Sequence, residues 1–223
     1  MSKNILIVGA SGLVGGEILK NLKTTNNDLI LLSRKKLLCE NSINQIVIDF
    51  ENIDSLDASL KVDEIYIAIG QKLSLYELVY IKKNNRKSFV NVDYNYIKKV
   101  AEFAKKCGAS SIGLISAIGA NSKSFNTYLK VKGDVEQEIK LVGYKKIIIA
   151  HPSHLLGKRA GEDIPMNVKV FEQITNLFGL LMIGPLQKFR NVEAKKVAKA
   201  IISKMDSVEE GIHYIDYKYF KNF

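Results

Sequence analysis

The chain has 223 residues, 47% of them hydrophobic, with two cysteines and a formal net charge of +10. That length and apolar content exclude a largely disordered chain and allow one domain with a sheet buried between helical layers. No apolar run approaches the ~18 residues of a membrane span.

Taken in order, short β-branched runs alternate with longer helical ones, the pattern of a parallel sheet with crossover helices. Asn4–Val8 reads as a strand and 14–22 as a helix whose apolar side is Ile18, Leu19 and Leu22. Lys3 followed by an apolar run could open a secretory signal, but no small-residue cleavage pattern follows, and strand, turn and helix suit the glycines better. Strands follow at 28–32, 45–48 and 64–69. They are apolar throughout rather than alternating, as strands covered on both faces are. Val92, Tyr96, Val100, Phe103 and Cys107 recur at helical spacing, with Gly108 as the stop. Ser111–Ile115 is a fifth strand, 126–141 a helix with Val131, Val135 and Ile139 inward, and Lys146–Ala150 a sixth strand ended by Pro152. Right-handed crossovers place these six in one doubly wound α/β sheet, with the loops after the strands along one edge. Beyond Pro152, 155–165 reads as loop and 168–181 as a helix broken at Gly184-Pro185. An amphipathic helix then carries Ala194, Val197, Ala198 and Ile201, and 212–215 is a last strand. The whole of 1–223 is expected to be one domain, in which residues from about 151 onward shape the substrate side.

Gly9, Gly12 and Gly15 spell G-x-x-G-x-x-G between the first strand and the first helix. Glycine at the first position permits the tight turn, at the second lets backbone approach a phosphate, and at the third lets helix pack on strand. Amides opening the helix, around Ser11, Leu13 and Val14, then face an anion. In that strand–helix context the motif predicts a dinucleotide site.

At the end of the second strand stand Ser33, Arg34 and Lys35, with no acidic residue to accept from ribose hydroxyls and repel a 2′-phosphate. A serine donor, a guanidinium fork and an extra ammonium favour NADP(H) over NAD(H); the plainer alternative is an exposed basic turn. Asp49 and Phe50 follow the third strand where an adenine ring would lie, although Asp49 reads equally well as a cap. Ala68 and Gly70 close the fourth strand and are small enough for backbone to pass an adenosine ribose.

Tyr128 and Lys132 share one helix face, one turn apart, and Ser116 ends the fifth strand in Gly113-Leu114-Ile115-Ser116. A lone Tyr-x-x-x-Lys arises by chance in any lysine-rich helix; three ordered elements after a matching cradle are more specific. The lysine favours the phenolate, so Tyr128 can donate a proton to a carbonyl as hydride arrives, or accept one in reverse. Lys132 would also bind the nicotinamide ribose, and Ser116 would hydrogen-bond the substrate oxygen.

The stretches I-V-G-A-S-G-L-V-G, L-S-R-K, V-I-D-F, V-N-V-D-Y-N-Y, I-S-A-I-G-A and Y-L-K-V-K-G-D-V-E carry a resemblance. With them the chain resembles the atypical branch of the short-chain dehydrogenase/reductases, in the Tat-interacting-protein-like group of NADPH-binding oxidoreductases. The resemblance implies a Rossmann fold, cofactor contacts at Gly9, Gly12, Gly15 and Arg34, and a catalytic trio of Ser116, Tyr128 and Lys132. It also implies that backbone at Pro152 meets the nicotinamide carboxamide. Many relatives have Arg-Pro there, where this chain has His151-Pro152-Ser153, and Asn91 does not match the catalytic Asn used by many of them.

Together these features predict an NADPH-dependent oxidoreductase acting on a small carbonyl or alcohol. An alternative is a non-catalytic NADPH-sensing module with a protein-binding surface. A nucleotide-sugar epimerase is disfavoured because the portion after the sixth strand is short. The lysines fall in scattered pairs and only four arginines occur, which favours solvated faces over a nucleic-acid surface. Cys39 and Cys107 lack C-x-x-C spacing, so no zinc site or disulfide framework is expected and a cytoplasmic setting is. His151 and His154, split by Pro152, are expected to be loop or site-lining residues rather than metal ligands. Asp93 and Glu136 are expected at the surface or as caps. Tyr214, Tyr217, Tyr219, Phe220 and Phe223 could serve a homodimer contact or pack as an ordinary tail.

Overall fold

Ile5 and Ile7 face one side of β1 (Asn4–Val8) and Leu6 and Val8 the other, and all four are buried. A strand apolar on both faces needs cover on both faces, and that requirement sets the layering. In this computed structural model, residues 2–38, 43–157 and 184–223 are described. β2 (Asp28–Ser33), β3 (Asn44–Val47), β4 (Glu64–Ile67), β5 (Ser111–Ile115) and β6 (Lys146–Ala150) all run parallel with β1. A short pair, β7 (Leu155–Leu156) with β8 (Val192–Glu193), stands apart from them. The final strand, β9 (Gly211–Ile215), joins β6, so the sheet has seven strands in the order β3-β2-β1-β4-β5-β6-β9. The six expected strands thus gain the predicted last strand as a parallel edge.

Helix α1 (Leu13–Leu22) covers one face and buries Ile18, Leu19 and Leu22 as its spacing predicts. Short α2 (Leu75–Val79) carries a Ser74–Glu77 capping box. α3 (Lys83–Val90) and α4 (Tyr96–Lys106) are one continuous path joined by a π turn at Asn91–Asn95. A single helix from Val92 was expected there; Asp93, on this wider turn, is buried. α4 and α5 (Thr127–Leu141) cover the opposite face from α1, which shares its own face with α6 (Ala194–Ser207). Gly108, at φ +97°, ends the α4 path where predicted.

The tail forms α7 (Tyr217–Phe220), whose Phe220 is fully buried while Tyr217, Tyr219 and Phe223 pack against the core. The helix predicted over 168–181, and most of the loop predicted before it, lie outside the described residues.

Strand order reverses beside β1, with β2 on one flank and β4 on the other. Loops leaving these strands diverge to opposite faces and open a crevice at their carboxyl ends. The candidate site lies there.

Candidate functional site

A cleft of about 700 Å³ opens at this switch point. Its floor is the turn after β1. Gly9 has φ +94°, and a Cβ there would lie 2.6 Å from the Ala68 carbonyl carbon and oxygen. Only glycine satisfies both the backbone angle and the contact. At Gly15 a Cβ would meet Gly9 O at 2.1 Å. Its role is to let α1 pack on the turn, and it does not line the cleft. Gly9, Ser11, Gly12, Leu13 and Val14 do line it, with no side-chain cap on the opening turn of α1. Backbone amides at that end are therefore presented to a ligand rather than to a capping side chain.

Toward β2 the cleft meets Leu32, Ser33, Arg34 and Phe50. Arg34 is exposed, while Ser33 is buried and donates its hydroxyl to the Lys35 carbonyl at 2.7 Å. Lys35 is exposed and stands outside the cleft wall. Phe50 packs edge-on to Tyr96, ring centroids 5.7 Å apart, forming an apolar wall for a planar group. Asp49 Oδ1 accepts from Glu51 N at 3.1 Å and caps the 3-10 turn Phe50–Ser55, the cap expected beside the adenine contact. That local bond holds the side chain beside its own turn, at the exposed rim. Asn91 donates to Glu51 and to the Tyr96 hydroxyl at this same end.

β4 ends at Ile67, two residues before the predicted limit. The chain leaves the ladder there, and Ala68 and Gly70 line the cleft as the Gln71 amide reaches Asp93 Oδ2 at 2.7 Å. A Cβ on Gly70 would come within 3.1 Å of Asp93 Oδ1, so the small residue makes room for the carboxylate.

Ser116, Tyr128 and Lys132 all line this cleft, brought together by the end of β5 and the first two turns of α5. Asn126 starts that helix by accepting from Leu129 N at 3.0 Å, and its amide donates to the Leu78 and Val79 carbonyls. One residue thus caps α5 and ties it to α2. Gly133, on the side of α5 facing the preceding loop, has no room for a Cβ beside Asn121 and Ser122, so the loop lies directly on the helix. Tyr128 rests against Phe89, centroids 5.9 Å apart.

Lys132 is only 5% exposed and Asp93 1%. Their Nζ and Oδ1 atoms are 2.8 Å apart. Burial, the largest single influence, depresses the Lys132 ammonium, but the Asp93 charge and hydrogen bond together with the Tyr128 and Glu136 charges outweigh it, and the pKa lies above the usual lysine value. Tyr128 titrates above an ordinary phenol: burial raises it, the Lys132 charge pulls it down, and Asp93 raises it again. The site therefore holds a protonated phenol beside a neutralised lysine, which suits proton donation.

Two expectations are overturned here. Asp93 is an interior partner of Lys132, and Glu136 is 5% exposed, accepting from the Ser116 hydroxyl while its Oε1 lies 2.8 Å from His151 Nε2. Helical spacing held the missed signal. Glu136 follows Lys132 by one turn as Lys132 follows Tyr128, and Asp93 follows the buried Phe89 by one turn, so both charges sit on inward faces. Pro152 is buried and outside the cleft wall; its carbonyl accepts from Ile118 N at 2.9 Å. Among the described residues no cluster of three metal-ligating side chains forms, and no helix is long and apolar enough to cross a membrane.

No protein-family model matches the sequence. The chain is 32% identical to protein HTATIP2 of Rattus norvegicus over 165 residues, 71% of this chain and 65% of that protein's length. It is 30% identical to the mitochondrial protein FMP52 of Lodderomyces elongisporus over 176 residues, covering 71% of this chain and 69% of that one. In fold it is similar to a short chain dehydrogenase family protein from Francisella tularensis, TM-score 0.67 at 17% identity, covering 99% of this chain and all of that one. It is also similar to the enzyme WbmH of Bordetella bronchiseptica solved with NAD+, TM-score 0.70 at 13% identity, covering 97% and 76% of the two chains. The cytoplasmic setting expected from the cysteines is corrected by these relatives, since the fungal one is named as mitochondrial. Few cysteines speak against an oxidising compartment and do not choose among reducing ones.

Proposed function

Because the chain belongs to the atypical short-chain dehydrogenase/reductase group that includes the HTATIP2 and FMP52 proteins, we propose that it is an NADPH-dependent oxidoreductase of small carbonyl compounds. The observation that carries this reading is one shared wall. The glycine turn with its uncapped helix start and the Ser116, Tyr128 and Lys132 side chains line a single cleft. The positive-φ turn pressed on Ala68 suits close approach of a pyrophosphate, and a neighbour in fold was solved with NAD+.

In this reading Gly9, Gly12 and the amides at the start of α1 bind the pyrophosphate, and Phe50 flanks the adenine. Arg34, exposed and without an acidic neighbour on its turn, binds a 2′-phosphate and selects NADPH. The cofactor, when bound, supplies the hydride. Lys132 holds the nicotinamide ribose, with Asp93 fixing its ammonium in place. Tyr128 gives its phenolic proton to the carbonyl oxygen, and Ser116 hydrogen-bonds that oxygen. Burial of Asp93 and Lys132 keeps water from competing for the ammonium.

The test is a panel of aldehydes and ketones followed by NADPH oxidation at 340 nm, a wavelength set by the cofactor rather than the protein. Turnover that Tyr128→Phe abolishes while the NADPH Kd stays unchanged supports the reading. Full turnover in Tyr128→Phe, or no uptake of either dinucleotide, overturns it.

A further inference from the structure

Tyr76, Val79 and Tyr80 are one turn apart along α2 and share one side of it, and all three are exposed. Phe125 adjoins them. It is fully exposed and precedes Asn126, whose amide donates to the Leu78 and Val79 carbonyls at 2.9 and 3.0 Å. Lys83, Arg86 and Lys87 repeat the same spacing on α3 and share one side of that helix. The apolar and basic sides meet where the Arg86 guanidinium lies over the Tyr80 ring, 5.6 Å from its centroid. Residues 71–90 and 119–126 together hold six lysines and arginines and one acid, Glu77. That carboxylate is engaged in the capping box with Ser74 and accepts from Asn85 at 3.3 Å.

Single exposed apolar side chains are ordinary on a protein surface; four that adjoin and are rimmed by cations need a partner that suits both. An anionic polymer would take the cations and leave Val79 in water. An anionic phospholipid surface takes both kinds of group. Its phosphates accept from the lysines and Arg86, its acyl boundary takes Val79 and Phe125, and tyrosines sit with the ring in one layer and the hydroxyl in the other. We infer that this corner of α2, α3 and the loop before α5 docks on an anionic phospholipid bilayer. The contact is interfacial, made by side chains rather than by a spanning segment. Leu78, on the same short helix, lines the cleft, so the docked surface adjoins the mouth of the candidate site. The inference stands apart from the dehydrogenase reading, because it uses none of the groups assigned to proton transfer.

Co-sedimentation of the full chain with phosphatidylcholine vesicles, with and without about 30% phosphatidylserine, tests this. Binding to the anionic vesicles that weakens as salt is raised, with little binding to the neutral ones, is the expected result. Lys83→Glu/Lys87→Glu should lower the partition coefficient at least about tenfold, and Val79→Asp/Phe125→Asp by a similar factor. Lys61→Glu/Lys106→Glu changes the net charge equally at the opposite end of the sheet, where Val62 N bonds to Cys107 O, and should leave binding within about twofold. All six substituted side chains are exposed, so each variant should fold, which circular dichroism checks. No binding to anionic vesicles, equal binding to both kinds, or equal losses in the two charge-reversed variants overturns the inference. Vesicle binding that survives Val79→Asp/Phe125→Asp while a wild-type dimer is lost in sedimentation assigns the face to a second copy and overturns it too.

Discussion

Asp93 holds the Lys132 ammonium at 2.8 Å, and both side chains are almost fully buried. The lysine that faces the phenol of Tyr128 is thus already neutralised on its other side. This pairing bears on the stability of the site and, after burial, on the protonation of Tyr128.

Removing one half of a buried pair leaves the other charge without compensation. Asp93→Ala is expected to destabilise the fold by about 3–5 kcal/mol, whereas a doubly apolar Asp93→Leu/Lys132→Met variant should be closer to wild type. Urea unfolding of the three proteins checks this. Equal stability of Asp93→Ala and wild type would show that the pair contributes nothing.

Asp93→Asn keeps the shape and removes the negative charge. Asp93 raises the Tyr128 phenol and Lys132 lowers it, so the variant phenol should ionise at lower pH. Alcohol oxidation needs the phenolate, and its rate rises with pH as the phenol deprotonates. The rising limb of the oxidation profile should therefore move to lower pH in Asp93→Asn. A limb that stays in place or moves up contradicts the assigned cause.

Tyr128→Phe removes the proton donor and leaves the ring against Phe89. Loss of a positioned acid costs about 10²- to 10⁴-fold in rate. The expected pattern is a fall of that size in single-turnover reduction, with NADPH binding by fluorescence unchanged.

Arg34→Ala should weaken NADPH by about 10- to 100-fold, the range of a charge-assisted contact to a phosphate, and leave NADH nearly unaffected. Calorimetric titration with both cofactors separates them. Parallel losses for the two would place Arg34 away from a 2′-phosphate.

Gly15 and Gly16 adjoin on α1 and make a paired control. A Cβ at Gly15 meets Gly9 O at 2.1 Å, whereas at Gly16 the nearest atom is Ala10 O at 3.3 Å. Gly15→Ala should push the turn after β1 out of shape, costing about 1–3 kcal/mol in stability and weakening NADPH binding. Gly16→Ala should do much less of both. Thermal melts with and without NADPH compare the two.

Much of the architecture is legible in the amino-acid order alone. Apolar runs without alternation announced strands covered on both faces, and β1, β5 and β6 fall at the expected residues. The glycine spacing announced the turn, because a backbone at φ +94° pressed on Ala68 tolerates little else. Helical spacing put Tyr128 and Lys132 on one face by geometry alone.

What the chain order could not supply was the identity of partners across elements. Asp49 reads equally as an adenine contact or a cap, and only the folded chain shows the bond from Glu51 N that makes it a cap. Asp93 and Glu136 read as surface charges because acidic residues on helices usually are. Asp93 is buried on a π turn, and the parallel order of β4, β5 and β6 brings Lys132, Ser116 and His151 to the same layer. Periodicity fixes which face of an element is buried; which groups meet there depends on how separate elements are stacked, and only the folded chain specifies that.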